Sequence, residues 1–225
     1  QERARQKQQQ QQREKTPKKA AAAEPQLYEP PPQPESQVRV RTDTKRAEIE
    51  AEQRTVEARM TRSEELDLSM MGLQRLPFEW MMGLRAVRFM DLSFNHFNEW
   101  PAEALAPHFD GLEMLIMGGC QLPSMPGSVG RFTALKELVL NGNRFSSLPD
   151  EIGACKQLNK LNLSNNQLRS LPNSIGWLIR LEELHVSGNP LGKLPDTIGN
   201  LRMLQVLDAN TCSLNAVPDE IVYCT

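Results

Sequence analysis

The chain has 225 residues, of which 39% are hydrophobic, and its formal net charge is −2. It contains no apolar run near the roughly 18 residues that a membrane-spanning helix needs, so the composition predicts a soluble protein without a membrane span. The charge is unevenly divided, because residues 1–62 carry 14 Lys or Arg against 10 Asp or Glu, whereas residues 63–225 carry 12 against 18. A basic N-terminal segment therefore precedes an acidic domain.

Residues 1–44 form a predicted extended tail of low complexity. The tail is rich in Gln, Lys, Arg and Ala, and its stretch EPPPQPE favours a polyproline conformation, so it cannot fold alone. Two interpretations stay open, a solvated linker or an anchor that contacts RNA or an acidic protein surface through its charge. No aromatic residue is interleaved with these charges, which argues against base-specific RNA recognition. The candidate anchoring residues are Lys7, Arg13, Lys15, Lys18 and Lys19.

The next segment, residues 45–62, is predicted to be a capping helix over the domain that follows. Thr44 is a candidate N-cap, and Ile49, Val56 and Met60 fall on one helical stripe that we expect to pack on this domain. The alternative is one strand of a coiled coil, although two heptads are too few to favour it.

Residues 63–225 repeat one pattern of leucines. In LNKLNLSNNQLRSLP the leucines recur at offsets of 3, 2, 5 and 3, which suit neither a long helix nor a simple alternating strand. The pattern returns every 23 residues in the later copies and more loosely before them, so that seven repeats are visible. The copies begin at Ser63, Val87, Leu112, Leu135, Leu158, Leu181 and Leu204.

The spacing within a repeat has a physical explanation. Two leucines that lie two residues apart both point inward from a short strand, and this strand is expected to pair in parallel with the same strand of the next repeat. An Asn at the following bend can bond backbone groups that the bend leaves without partners. The predicted ladder consists of Asn95, Asn143, Asn166 and Asn189, with Cys120 and Cys212 in the same position of repeats three and seven.

These copies resemble the leucine-rich repeat, L-x-x-L-x-L-x-x-N/C-x-L. The added half LPxxIGxLxxL is similar to the intracellular Ras-group subtype of Scribble and Ras suppressor proteins. The resemblance implies an α/β solenoid with a parallel concave β-sheet and short convex helices over residues 63–225. The sequence stops where an eighth repeat would begin and shows no polar C-terminal cap, so we expect further repeats or a partner there.

The cysteines favour a reducing compartment. Cys120 and Cys212 lie four repeats apart, about 19 Å along a sheet with a strand spacing of about 4.8 Å, which is too far for a disulfide. No cysteine cluster precedes the first repeat, as it usually does in extracellular proteins of this kind. We therefore expect an intracellular protein located in the cytoplasm, with the cytoskeleton and an organelle matrix as the locations that stay open.

No catalytic or cofactor motif is present in the sequence. It has no phosphate-binding glycine loop, no H-E-x-x-H and no C-x-x-C pair, and its three histidines fall at unrelated positions of different repeats. We therefore predict that the protein is not an enzyme and that it has no cofactor, metal site or small-molecule substrate.

The outward strand positions are the predicted partner-binding site. Most are polar, but those of repeats two to four include an apolar cluster with charged residues at its rim, which is typical of a docking surface. The alternative is that these early repeats are irregular and their apolar residues pack beneath the N-terminal segment. The candidate residues are Phe89, Asp91, Phe94, Met114, Ile116, Glu137, Val139 and Lys160, with Met70 beside them.

Two functions remain open at this stage. One is a non-catalytic scaffold, a structural subunit of a large cytoskeletal, axonemal or ribonucleoprotein assembly that binds proteins through its concave face and its tail. The other is a signalling adapter for a small GTPase or a phosphatase subunit, which the Ras-group resemblance implies by analogy only.

Overall fold

The computed structural model describes residues 35–224, with side chains from residue 44 onward, so the five predicted anchoring residues of the tail lie outside the described residues. A long helix, α1 (Glu35–Thr61), precedes seven three-residue strands that alternate with short helices. The strands are β1 (Glu65–Asp67), β2 (Phe89–Asp91), β3 (Met114–Ile116), β4 (Glu137–Val139), β5 (Lys160–Asn162), β6 (Glu183–His185) and β7 (Val206–Asp208). The short α-helices are α2 (Phe78–Met81) and α3 (Ala102–Leu105), and the 3-10 helices are η1 (Ala106–His108), η2 (Gly127–Arg131), η3 (Asp150–Ala154), η4 (Asn173–Trp177), η5 (Asp196–Asn200) and η6 (Asp219–Tyr223).

The seven strands form one parallel sheet in the order of the chain, which confirms the predicted fold. The central leucines are in register, since Leu138 pairs with Leu161 and Leu161 pairs with Leu184. Both leucines of the L-x-L motif are buried in each of repeats four and five, while the residues that flank them face out of the sheet. The core therefore lies between the sheet and the layer of short helices, and it is continuous along the repeats.

Glycine in the LPxxIG half allows the helical layer to stack closely. A Cβ atom on Gly153 would stand 2.6 Å from the carbonyl oxygen of Ser174 in the next repeat, and one on Gly130 would stand 2.6 Å from that of Glu151. The isoleucine before the glycine, Ile152 in η3, is fully buried. The glycine is thus required by the close approach of neighbouring backbones rather than by a turn.

The predicted asparagine ladder is present and links successive repeats. Asn166 donates from Nδ2 to the carbonyls of Leu163 (2.9 Å) and Leu140 (3.0 Å), and its Oδ1 accepts the backbone N–H of Phe145 (3.1 Å). Asn143 also donates to the carbonyl of Leu140 (2.9 Å), so this oxygen serves two asparagines. Cysteine makes one equivalent bond, since Cys120 Sγ lies 3.2 Å from the carbonyl oxygen of Leu92 and Cys212 Sγ lies 3.1 Å from that of Val186.

Helix α1 differs from the predicted capping helix in its start and in its packing face. It begins at Glu35 rather than at residue 45, so Thr44 lies inside it and is not its N-cap. The prediction that Ile49, Val56 and Met60 pack on the repeats is wrong, because these side chains are 57%, 45% and 80% exposed.

The packing face of α1 is instead formed by small residues. Ala51, Thr55 and Ala58 are buried, at spacings of four and three that place them on one side of the helix. The hydroxyl of Thr55 donates to the carbonyl of Glu52 (2.7 Å), which satisfies this buried polar group. Arg54 donates to the carbonyl of Asp67 (3.0 Å), so the helix also bonds the end of β1.

Repeat two contains a buried histidine that the sequence did not distinguish from the other two. His108, at the end of η1, is 3% exposed, and its Nε2 has no hydrogen-bond partner among the described residues. Burial lowers the pKa of His108, and a hydrogen bond with the backbone of Met81 opposes this effect in part. The imidazole is therefore held neutral in the fold.

We expect this histidine to make the fold less stable in mild acid. Above a pH of about 6.5 the imidazole is neutral in both the folded and the unfolded state, so His108 does not reduce the free energy of unfolding there. As the pH falls below that value, the unfolded chain binds a proton that the folded chain does not, and the free energy of unfolding decreases until the pH reaches the lower folded-state pKa. Urea denaturation at pH 7.5 and 5.5 should show a smaller difference for His108→Gln than for the wild type.

The matched control is His96→Gln, because His96 is exposed. This variant should keep the pH dependence of the wild type. An unchanged pH dependence in His108→Gln would mean that His108 does not cause it.

Candidate protein-binding face

The candidate site lies on the face of the sheet that is away from the short helices, which we call the concave face. Its apolar patch consists of Phe89, Met114, Ile116 and Val139, all half-buried. The register places Phe89 beside Met114 and Ile116 beside Val139 on neighbouring strands. The structure thus brings these four predicted residues together on strands β2 to β4, and the described part of the N-terminal segment does not bury them.

Two further apolar side chains lie just beyond the strands, at the edge of the patch. Met70 is 78% exposed and Phe94 is 59% exposed. Both residues have left-handed backbone conformations, with φ of 58° and 55°. The equivalent residue has positive φ in all seven repeats, and we call this the left-handed position. Its occupants are Met70, Phe94, Gly119, Gly142, Asn165, Gly188 and Thr211.

The two glycines just beyond β3, Gly118 and Gly119, are covered by side chains of neighbouring repeats. A Cβ atom on Gly119 would stand 2.7 Å from Cδ1 of Phe94, so the phenyl ring lies over this glycine. A Cβ atom on Gly118 would stand 2.8 Å from Oδ1 of Asn141. The absence of a side chain at Gly119 therefore supports the position of the Phe94 ring.

Carboxylates flank the apolar patch on the side of the first repeats. Oδ1 of Asp91 accepts the backbone N–H of Ser93 (2.8 Å), and no Lys, Arg or His nitrogen lies within 4 Å of this carboxylate among the described residues. Oδ1 of Asp67 accepts the N–H and the hydroxyl of Ser69, which lower the pKa of Asp67. Asp67 and Asp91 pair in register, so two negative charges stand side by side.

A charged network covers the concave face of the later repeats. Lys160 Nζ lies 2.8 Å from Oε2 of Glu183, and this bond raises the pKa of Lys160 and lowers that of Glu183. His185 follows, with Nε2 3.1 Å from the same Glu183 oxygen and Nδ1 3.9 Å from Oδ2 of Asp208. The register places Glu137 beside Met114 and Lys160 beside Glu137, so both lie next to the apolar patch. The ammonium group of Lys160 forms its ion pair with Glu183 on the side away from the patch's strands.

An ion-pair ladder that was not predicted joins residues that precede the first strands. Glu113 accepts hydrogen bonds from Arg88 (2.8 Å) and from Lys136 (2.6 Å), and the bond from Lys136 is the main reason that the pKa of Glu113 is lowered. The alternation of charge at the residue directly before each of the first four strands, Glu64, Arg88, Glu113 and Lys136, was visible in the sequence at the repeat spacing. The left-handed position was visible too, through the three glycines that align with Met70 and Phe94.

The described residues contain no grouping of His, Cys, Asp or Glu that would hold a metal ion. Across the part of the chain that the structure describes, no helix combines the length and the apolar character that crossing a membrane requires. All four cysteines are free thiols, and burial raises the pKa of Cys155 to about 11.

Comparisons with known proteins agree with this architecture. A family model described as a leucine-rich repeat region matches residues 92–217. A leucine-rich repeat protein of Leptospira interrogans is 34% identical, with a TM-score of 0.68, over 75% of this chain and 43% of that protein. No curated protein matches the chain.

Two plant receptor kinases are also similar in structure. The ectodomain of GASSHO1/SCHENGEN3 from Arabidopsis thaliana, solved in complex with CASPARIAN STRIP INTEGRITY FACTOR 2, is 31% identical with a TM-score of 0.51, over 65% of this chain and 18% of that one. The Arabidopsis receptor kinase HAESA, solved with the peptide hormone IDA and a co-receptor, is 28% identical with a TM-score of 0.60, over 71% of this chain and 28% of that one. The chain spans less than half the length of each of these structures.

The family match covers more than half of the sequence, and it coincides with the parallel strands, the asparagine ladder and the stacked short helices. The chain belongs to the leucine-rich repeat family.

Proposed function

We propose that the protein is a non-catalytic scaffold that binds a protein or peptide partner on the concave face of repeats one to four. The observation that carries this proposal is the contiguous apolar patch, whose four side chains remain partly exposed although every neighbouring inward residue is buried. Exposed apolar groups that are clustered and rimmed by charge favour association, because burying them against a partner removes them from water.

Two of the similar structures support a peptide or protein as the partner. The GASSHO1/SCHENGEN3 ectodomain and the receptor kinase HAESA were both solved in complexes, HAESA with a peptide hormone.

We further propose that the scaffold is a structural subunit of a large intracellular assembly, cytoskeletal, axonemal or ribonucleoprotein. Free buried thiols at Cys120, Cys155 and Cys212 support a reducing compartment, and the basic tail supports additional contacts with RNA or an acidic protein. The alternative is a signalling adapter for a small GTPase or phosphatase subunit, which is favoured by the resemblance to Ras-group repeats.

Replacing Phe89, Met114 and Ile116 together by Ser should weaken partner binding strongly. Each apolar side chain that becomes buried in a complex contributes about 1.5 to 3 kcal/mol, so the triple variant should lose bound partners at both low and high salt. Quantitative pull-downs from a cell extract, with the full-length chain immobilised, measure this loss after a melting experiment has shown that the variant is folded.

The matched control replaces Trp177, Ile179 and Met203 by Ser, because these three side chains are exposed outside the concave face. Partners that survive in both triple variants would contradict the concave site. A variant that lacks residues 1–34 tests the tail in the same assay, and contacts made by its charge should weaken steeply as salt increases.

A further inference from the structure

The left-handed position is occupied unequally along the repeats. Glycine, which adopts positive φ without strain, stands there in repeats three, four and six. Asn165 occupies it in repeat five, and asparagine tolerates this conformation better than most residues. Thr211 occupies it in repeat seven, where its hydroxyl accepts the backbone N–H of Gly188 (3.0 Å).

Met70 and Phe94 have no such compensation. Their side chains carry no hydrogen-bonding group that favours positive φ, and both are largely exposed, so neither residue gains much from burial. A bulky residue in this conformation is strained, and strained residues concentrate where a protein binds other molecules. The fold alone is served better by glycine at both positions.

The charges on the concave face favour a positively charged partner. The outward strand residues of the concave face include six carboxylates, Glu65, Asp67, Asp91, Glu137, Glu183 and Asp208, and one ammonium group, on Lys160. Asp91 stands three residues before Phe94 and has no cationic partner among the described residues. Such a face attracts cations and repels the phosphates of nucleic acids.

We propose that Phe94, with Met70 beside it, is the anchor of the concave site, and that its partner is an extended basic segment with an apolar residue next to a Lys or Arg. The apolar residue packs on the Phe94 ring, and Asp91 pairs with the cation. This inference rests on the proposed function and specifies its partner. Pairing of the concave faces of two copies is disfavoured, because both faces carry the same negative charge.

The test is a selection of random 12-residue peptides, displayed on phage, against the full chain, followed by synthesis of the enriched peptides and fluorescence polarisation. Enriched sequences should place Phe, Leu, Ile or Met beside Lys or Arg. The affinity should fall at least about tenfold for Phe94→Gly, as for an interface hot spot, and less for Asp91→Asn, which should also weaken the salt dependence of binding.

Two controls separate binding from folding. Phe94→Gly should melt close to the wild type, because relief of the positive-φ strain offsets the greater flexibility of the unfolded chain. Asn165→Gly makes the same backbone change on the polar part of the face, and it should leave peptide affinity unchanged.

Three results would overturn the inference. They are enrichment of acidic peptides, failure to enrich any peptide, and equal affinity of Phe94→Gly and the wild type. If peptides bind through Phe89, Met114 and Ile116 but not through Phe94 or Asp91, the concave docking site stands and the anchor is wrong. Peptides that bind all of these variants equally would refute both, and self-association that Phe94→Gly abolishes would make a second copy the partner.

Discussion

Leu161→Ala should lower the free energy of unfolding by about 2 to 5 kcal/mol. Leu161 is fully buried at the centre of β5, in register with Leu138 and Leu184 on either side. Removing three carbon atoms leaves a cavity between two stacked repeats, and neither neighbour can collapse into it without breaking the strand pairing. Urea denaturation followed by circular dichroism measures the loss.

The matched control for this variant is Ile179→Ala, because Ile179 is 59% exposed and also aliphatic. It should change stability by much less than Leu161→Ala. Wild-type stability in Leu161→Ala would show that the register of the repeats is different from the one described.

Asn166→Ala should lower the free energy of unfolding by about 2 to 4 kcal/mol, although it removes a polar side chain and little apolar volume. The change leaves the N–H of Phe145 without a partner in the core and removes one of the two side-chain donors from the carbonyls of Leu140 and Leu163. A buried donor without a partner costs its full desolvation energy, whereas the carbonyls keep a bond each. Chemical denaturation of this variant at neutral pH measures the cost.

A graded comparison tests the mechanism. Asn166→Cys should lose less than Asn166→Ala, because Cys120 and Cys212 each keep one bond to a carbonyl of the preceding repeat. Gln167→Ala, at the exposed neighbouring residue, should be nearly neutral. Equal losses in the alanine and cysteine variants would assign the whole cost to the unpaired N–H of Phe145, and a loss in Asn166→Ala no larger than in Gln167→Ala would show that the hydrogen bonds of the ladder are not the cause.

Much of the fold was readable from the sequence, because the repeat requires the same residue at the same place many times. The L-x-L pairs fixed the strands and the inward direction of their leucines, and the aligned asparagines indicated the ladder. The outward residues of β2 to β4 follow from the same alternation, so the apolar patch was predicted residue by residue.

The features that were not predicted depend on how neighbouring elements pack together. In α1 an apolar stripe and a stripe of small residues were both available, and the helix packs through Ala51, Thr55 and Ala58 because small side chains let it approach the first repeat closely. Hydrophobic periodicity alone favours the larger residues, so it selected the wrong face. The ring of Phe94 over Gly119 likewise arises from two repeats together and from neither alone.

The asparagine ladder also divides the repeats into regions of unequal rigidity. Asn143, Asn166 and Asn189 follow one another without interruption in repeats four to six, and cysteine stands on either side of this block at positions 120 and 212. In a linear array whose stability is mostly the sum of contacts between neighbours, local opening begins where those contacts are fewest. The apolar patch of repeats two to four thus spans repeat three, where Cys120 stands between Asn95 and Asn143 and makes fewer of these bonds. A partner that contacts β2, β3 and β4 together would stabilise repeat three against local opening. Amide hydrogen exchange should then become slower in repeats two to four.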